Sequence, residues 1–443
     1  MAKKKSLSPP QVVVLGFLVI ILVGTILLSL PQTTANGERQ RLVDALFTAT
    51  SAVCVTGLVV HDTGEYFSLF GQIVILLLIQ IGGLGYMTMA TFLLLLIGKT
   101  ITLKERLIMQ ESLPQFSLGG VAQFAKYVLK VTLIVELIGA TILSLRWMGQ
   151  FPPPRAIYLG LFHTISAFCN AGFSLFTDNL IGFRGDIVIC LTVILLIIIG
   201  GLGYVVISDL YYFRYRRFRR LSLHSKMVLL ITSTLIVLGA VTFFLLESRN
   251  PGTLAGLSVK EKITASLFHS VTPRTCGLNV VDVGSMLQQS LFLTIILMFI
   301  GASPGSTGGG IKTTTFGVML GRVWNTLKKR RDVTFFKHRI AGDTMEKSFV
   351  ISFSSIALIV VVAGIIKISE RYDLTQVVFE TVSAFGTVGL STGITSGLSS
   401  LSKALLIITM IVGRLGPLTI GTAIVQEGED LRFRFPEERV LVG

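Results

Sequence analysis

Two short phrases recur in the same order four times along this 443-residue chain, and that recurrence restricts its fold more than any other feature. The first reads FTATSAVCVTGL from Phe47, FHTISAFCNAGF from Phe162, FHSVTPRTCGLN from Phe268 and FETVSAFGTVGL from Phe379. Each copy runs from its Phe through a short helix-compatible stretch to a glycine: Gly57, Gly172, Gly277 or Gly389. The third copy is one residue shorter between the two. The second phrase is IGGLG from Ile81 and again from Ile199, IGASPG from Ile300 and VGRLG from Val412. The glycine phrases are separated by 25, 28, 24 and 24 residues, so one structural unit is used four times.

The setting of that unit is apolar. Hydrophobic residues make up 51% of the chain and charged residues 14%, against about 25% charged in a soluble domain. Apolar runs at 12–30, 70–97, 128–145, 187–210, 227–246, 291–300, 349–366 and 404–425 alternate with polar segments. Most are long enough for a hydrocarbon core of roughly 30 Å. Open sheet edges cannot face lipid, so the runs are expected to be helices. The run at 12–30 follows Lys3, Lys4 and Lys5 but exceeds a signal-peptide core, and the repeat needs it as a span. Soluble enzymes, collagen-like chains and disordered scaffolds are excluded.

The formal net charge of +15 would suggest nucleic acid in a soluble protein. Here it follows the membrane, with 25 basic residues on one side of the runs and 10 on the other. The positive-inside rule puts both termini in the cytoplasm of a multi-pass plasma-membrane protein. The basic clusters at 214–220 and 328–331 are expected to face anionic lipid headgroups. The four cysteines have no metal spacing and read as small packing residues.

Every copy begins and ends inside, so the repeats are parallel, unlike the inverted repeats of many transporters. The expected architecture is an all-α polytopic membrane protein: four parallel span–pore-half-helix–span repeats, eight spans in all, in pseudo-fourfold array around one pore. Residues 11–110, 111–220, 221–340 and 341–425 form the repeats, with 1–10 and 426–443 as cytoplasmic ends. A dehydrated cation at membrane depth needs oxygen ligands, and rings of backbone carbonyls supply them without formal charge. Aiming successive carbonyls at one axis requires positive φ angles, which glycine tolerates. Each half-helix would point its partially negative C-terminal end at the axis. No Asp or Glu stands beside these glycines, which excludes a carboxylate-lined divalent filter. His163, His269 and Glu380 share one column with Thr48, and packing or capping is expected there.

The second phrase of the third copy departs from its siblings, reading GASPGSTGGGIKTTT over residues 301–315. Glycine costs about 1 kcal/mol and proline about 3 in a helix interior, so this span should break into an intramembrane loop. Gly305, Gly308, Gly309, Gly310 and Lys312 are the gate candidates within it. Residues 305–313 mimic a phosphate-binding loop, but Ile311 separates Gly310 from Lys312 and no strand precedes, so nucleotide binding is not expected there. Arg414 lies mid-run in the last copy, where a charge costs at least about 2.5–3.5 kcal/mol. It is expected to face the pore and bond the carbonyls of the loop.

These phrases and their order, across residues 10–425, resemble the superfamily of potassium transporters that includes Trk, Ktr and the plant high-affinity transporters. The lack of extra spans before the first repeat resembles the Ktr membrane subunit more than the longer Trk subunit. The resemblance implies potassium-selective, channel-like uptake with a glycine at every filter position. The implied filter residues are Val55, Thr56, Gly57; Asn170, Ala171, Gly172; Thr275, Cys276, Gly277; and Thr387, Val388, Gly389. It also implies the loop gate at 301–315, a homodimer, a KtrA-like cytosolic ring binding ATP or ADP, and sodium as an activator. Beyond potassium in the pore, no bound cofactor and no nucleic acid are expected. A sodium-selective member of the same architecture is the alternative. A membrane-embedded enzyme is disfavoured, because titratable groups in the spans are few, chiefly Glu136 and Arg414.

Overall fold

The computed structural model describes residues 8–85, 121–213, 221–330 and 332–424. The three N-terminal lysines, the cluster at 214–220, Arg331, residues 86–97 of the second apolar run and everything from 425 onward lie outside them, as does the boundary at 110. Among the described residues the regular elements are helices apart from one hairpin of two-residue strands, β1 (Thr334–Phe335) and β2 (His338–Arg339).

The helices fall into four successions of a long helix, a short buried one and an apolar one. The first is α1 (Pro9–Leu28), α2 (Leu42–Val53) and α3 (Leu69–Leu84). The second is α4 (Val121–Trp147), α5 (Pro153–Phe168) and α6 (Ile187–Leu202), followed by α7 (Tyr204–Phe213). The third is α8 (Leu223–Glu247), α9 (Val259–Val271), α10 (Gln288–Phe299) and α11 (Thr313–Leu327). The fourth is α12 (Gly342–Ser369), α13 (Leu374–Gly386), α14 (Ser400–Leu415) and α15 (Pro417–Ile424).

Local chemistry starts these helices. Side chains of Ser68, Asp186 and Ser399 accept the first-turn amides of α3, α6 and α14, which would otherwise lack partners. Capping boxes open α9 (Ser258 with Glu261) and α13 (Asp373 with Gln376). The Phe that opens each first phrase is fully buried in all four copies, at Phe47, Phe162, Phe268 and Phe379.

The second phrase sets how the helices meet and where they stop. A methyl group on Gly82 would lie 2.0 Å from the carbonyl oxygen of Val53, and one on Gly200 2.0 Å from that of Phe168. On Gly413 it would lie 1.9 Å from that of Phe385. Only glycine lets α3, α6 and α14 sit this close to the carbonyl ends of α2, α5 and α13. The last glycine of the phrase then turns the chain, with φ of +78° at Gly85, +92° at Gly203, +67° at Gly305 and +88° at Gly416.

This turn changes the expected spans. Residues 187–210 and 404–424 are not single helices: α6 and α7 meet at 100°, and α14 and α15 at 99°. Among the described residues four helices are long and apolar enough to cross a membrane, or six if each bent pair is one span, against the eight spans expected for the whole chain. The third copy breaks as expected: α10 ends at Phe299, residues 300–312 are irregular, and α11 begins at Thr313.

Beyond each copy the packing is cyclic. Helix α3 packs on α5, α6 on α9, α10 on α13, and α14 returns to α2. Each apolar helix therefore serves the short helix of the following copy, and the last copy closes onto the first. Replacing Gly413 by Ala should lower the thermal unfolding midpoint in detergent by forcing α14 off Phe385, a cost of about 1–3 kcal/mol. Gly364→Ala, at a mid-helix site with nothing within 4 Å, should leave it unchanged or raise it.

Candidate functional site

The short helices all end at one place. At the carbonyl end of α2, Val55 and Gly57 have φ of +56° and +87°, with a negative φ at Thr56 between them. The same alternation appears at Asn170 and Gly172 (+58°, +73°), Thr275 and Gly277 (+84°, +85°), and Thr387 and Gly389 (+48°, +88°). A left-handed conformation is costly for residues with a Cβ, yet Val55, Asn170, Thr275 and Thr387 all adopt it. Alternating signs of φ let consecutive carbonyls face one side, whereas an ordinary strand sends them to opposite sides.

The four glycines form a closed ring. A methyl group on Gly57 would lie 2.4 Å from the carbonyl oxygen of Ala171 and 2.8 Å from Gly172 Cα. From Gly172 it would meet Cys276 O at 2.4 Å, from Gly277 Val388 O at 2.2 Å, and from Gly389 Thr56 O at 2.2 Å. Each glycine thus abuts the carbonyl that precedes the next glycine, and the fourth abuts the first. Among the described residues, no amide or side-chain donor is hydrogen-bonded to the carbonyls of Thr56, Ala171, Cys276 or Val388. All four residues are fully buried, and buried carbonyls ordinarily have partners.

A hydroxyl column fixes this backbone. Ser51, Ser166, Thr272 and Ser383 each stand four residues after the Phe that opens the phrase. The amide of Gly57 donates to Ser51 Oγ at 3.0 Å and that of Gly389 to Ser383 Oγ at 3.1 Å. Ser166 Oγ donates to Phe173 O at 2.7 Å, and Thr272 Oγ1 to Leu278 O at 2.5 Å. Sequence reasoning passed over this column, although counting from the Phe rather than back from the glycine aligns it in every copy. The missing residue of the third copy therefore lies after the hydroxyl.

On one side the ring opens into a cavity of about 330 Å³ lined by Gly57, Gly172, Gly277 and Gly389, with Asp62, Asp178 and Asp282 at its wall. The loop of the third copy lies on the other side. A methyl on Gly308 would sit 2.0 Å from Thr275 Oγ1 and one on Gly309 2.4 Å from Thr387 Oγ1. The Gly309 amide donates to that Thr387 hydroxyl at 3.1 Å, and the Gly310 amide to Gly413 O at 3.2 Å. Lys312 Nζ donates back to Gly308 O at 2.8 Å. Gly305 lies apart from them, its carbonyl accepting from the Tyr204 amide at 3.0 Å.

Arg414 joins three copies. Its guanidinium donates to Thr307 O in the loop and to Gly82 O at the end of α3, with Gly83 O at 3.5 Å. The contact with the loop was expected; the one with the first copy was not. Other buried charges were also missed. Lys403 of α14 places Nζ 2.8 Å from Asp44 Oδ1 of α2, where the last copy meets the first, and His61 Nε2 is 3.7 Å from the other oxygen. Arg274, next to the third triplet, is buried with Nη2 3.3 Å from Thr232 Oγ1.

Across residues 11–429 the chain matches the family model described as TrkH, cation transport protein. The chain belongs to the TrkH family. It is 43% identical to the Ktr system potassium uptake protein B of Bacillus subtilis, over 98% of this chain and 97% of that one. It is 36% identical to the potassium/sodium uptake protein NtpJ of Enterococcus hirae, over 99% and 98%. The crystal structure of the potassium transporter TrkH from Vibrio parahaemolyticus superposes with a TM-score of 0.74 at 18% identity, covering 96% of this chain and 86% of that one. The TrkH-family fold and the apolar helices make this a multi-pass membrane protein, and members of the family are ion transporters rather than enzymes.

The Asp44–Lys403 pair gives a stability test. Lys403→Met leaves the buried Asp44 carboxylate with only the half-buried His61 at 3.7 Å, which should cost up to about 3–5 kcal/mol and lower the unfolding midpoint. The double change with Asp44→Asn should recover most of that loss.

Proposed function

We propose that the chain is a channel-like route for potassium uptake, its filter made by the carbonyls of the four glycine-ending triplets. The observation that carries this is the closed ring of buried carbonyls of Thr56, Ala171, Cys276 and Val388, which have no donor among the described residues. A dehydrated monovalent cation supplies what those oxygens lack. In this reading the four helical successions are parallel repeats in pseudo-fourfold array around one pore, eight spans in all, divided at 11–110, 111–220, 221–340 and 341–425. Uptake would be driven by the inside-negative potential, worth about 2.3 kcal/mol per charge per 100 mV.

Gating falls to the loop at 301–315 and Arg414. Packed beneath Thr275 and Thr387 and tied by Arg414 to the first copy, the loop blocks the axis while a positive charge opposes cations there. A cytoplasmic signal would have to move both. Relatives carry the name of a Ktr system, which supports a regulatory partner of KtrA type, a cytosolic ring binding ATP or ADP, set against a homodimer of this chain. The termini would then be cytoplasmic, in a plasma membrane. Sodium as activator or second permeant ion is favoured by one relative named for both ions, and a sodium-selective route is the second reading.

Rubidium influx into liposomes bearing the purified chain tests the first. Gly277→Ser should cut potassium-competed influx at least tenfold, because the new side chain meets Val388 O and a positive φ. Undiminished, equally selective influx would remove the filter. Arg414→Ala and deletion of residues 305–310 should each raise influx without partner. If neither changes it, the gate lies elsewhere.

A further inference from the structure

The column one residue after each opening Phe holds Thr48, His163, His269 and Glu380, and the four do different things. Glu380, fully enclosed in α13, receives hydrogen bonds from the segment beyond its own glycine. Ser391 Oγ donates to Oε1 at 2.5 Å, the Thr392 amide to the same oxygen at 2.9 Å, and Thr395 Oγ1 to Oε2 at 3.0 Å. His163 does the same in α5: Nε2 lies 3.1 Å from Ser174 Oγ and accepts from the Leu175 amide at 3.3 Å, while Nδ1 pairs with Leu159 O at 2.9 Å. Ser174 and Ser391 stand at the same place, two residues after Gly172 and Gly389. The two tethers are equivalent.

Among the described residues, the column residues of copies one and three make no such tie. His269 Nε2 pairs instead with Thr294 Oγ1 of α10 at 2.9 Å. Among the described residues no side-chain hydrogen bond joins Thr48 to the segment after Gly57. In the ring Gly57 neighbours Gly172 and Gly389, and Gly277 neighbours the same two. The tethered copies therefore face each other across the axis, as do the untethered ones.

We infer that Glu380 and His163 are positioning residues that brace one diagonal of the ring and set how well it discriminates between monovalent cations. The inference rests on the filter reading above. Potassium and sodium differ chiefly in size, so preference between them depends on how far opposing carbonyls can approach. A carboxyl group with several donors is a stiff anchor; it holds the Ser391 hydroxyl and the Thr392 amide, two and three residues beyond Gly389, and His163 fixes the opposite wall. The other diagonal has the hydroxyl ties of Ser51 and Thr272 that every copy shares, and the His61–Asp44 contact at 3.7 Å, but no such anchor from this column. Replacing Glu380 by Gln keeps the shape but turns one acceptor into a donor, and Ser391→Ala removes the tether from its other end.

The experiment is rubidium influx into liposomes with potassium or sodium as competitor, normalised to folded protein, with Gly277→Ser and Thr48→Val alongside. Glu380→Gln and Ser391→Ala should each reduce potassium-over-sodium discrimination by roughly three- to tenfold. The double variant should lose no more than the worse single one, since both cut one tether. Thr48→Val should discriminate as the parent does. Should Glu380→Gln not accumulate, Ser391→Ala and Thr395→Ala report on the same tether. Parental discrimination in the tether variants, with loss in Gly277→Ser, overturns the brace and leaves the filter standing. Parental discrimination in Gly277→Ser as well removes the filter and the brace together. A loss in Thr48→Val equal to that in Glu380→Gln overturns the diagonal assignment.

Discussion

Four short helices ending on one axis leave a ring of buried carbonyls with no donor among the described residues, and much of the structure exists to hold them there. Such an arrangement is costly: each oxygen has lost water, and four residues with a Cβ sit at positive φ beside the glycines. The surroundings over-determine it. Hydroxyls four residues after each opening Phe bind the backbone from behind, and the apolar helix of each copy wedges against the short helix of the next. Glycine is required at the ring because neighbouring copies come within van der Waals distance of one another's backbone. The same need for close approach explains Gly82, Gly200 and Gly413 one layer away. Both repeated phrases are therefore packing instructions first, and the oxygen ring is their product.

The four copies are equivalent at the ring and diverge around it. Only the third interrupts its apolar helix with a proline and a glycine run, and only the fourth carries an arginine in its second phrase. These departures meet physically, since Arg414 donates to Thr307 in the loop. Its second contact, to Gly82 of the neighbouring first copy, couples the loop to that copy. In the proposed mechanism one guanidinium both raises the barrier and latches the obstacle. In that mechanism, freeing the loop would break its bonds to Arg414 and Thr387 of the fourth copy and to Phe168, Gly200 and Gly201 of the second.

Much of this was legible in the sequence. The phrases located the glycines, the broken third copy and Arg414, because each depends on residue types with few alternatives: glycine for backbone approach, proline for a break, a charge where lipid forbids one. Helix ends were less readable. The runs at 187–210 and 404–425 looked continuous because hydropathy is blind to φ, and the turn at Gly203 or Gly416 is apolar on both sides. The Asp44–Lys403 pair was invisible for another reason: its partners are 359 positions apart, and only ring closure brings them together. The hydroxyl column was within reach: the count from the opening Phe that aligns Thr48, His163, His269 and Glu380 aligns it in every copy, but serine and threonine have many ordinary roles in a helix.

The position of a heavy monovalent cation tests the oxygen ring most directly. Crystals of the chain grown in thallium or rubidium would locate it by anomalous scattering. The expected result is density on the axis within coordination distance of the carbonyls of Thr56, Ala171, Cys276 and Val388, lost in Gly277→Ser. Cation density confined to the cavity walled by Asp62, Asp178 and Asp282, with the ring empty in the parent protein, would contradict it.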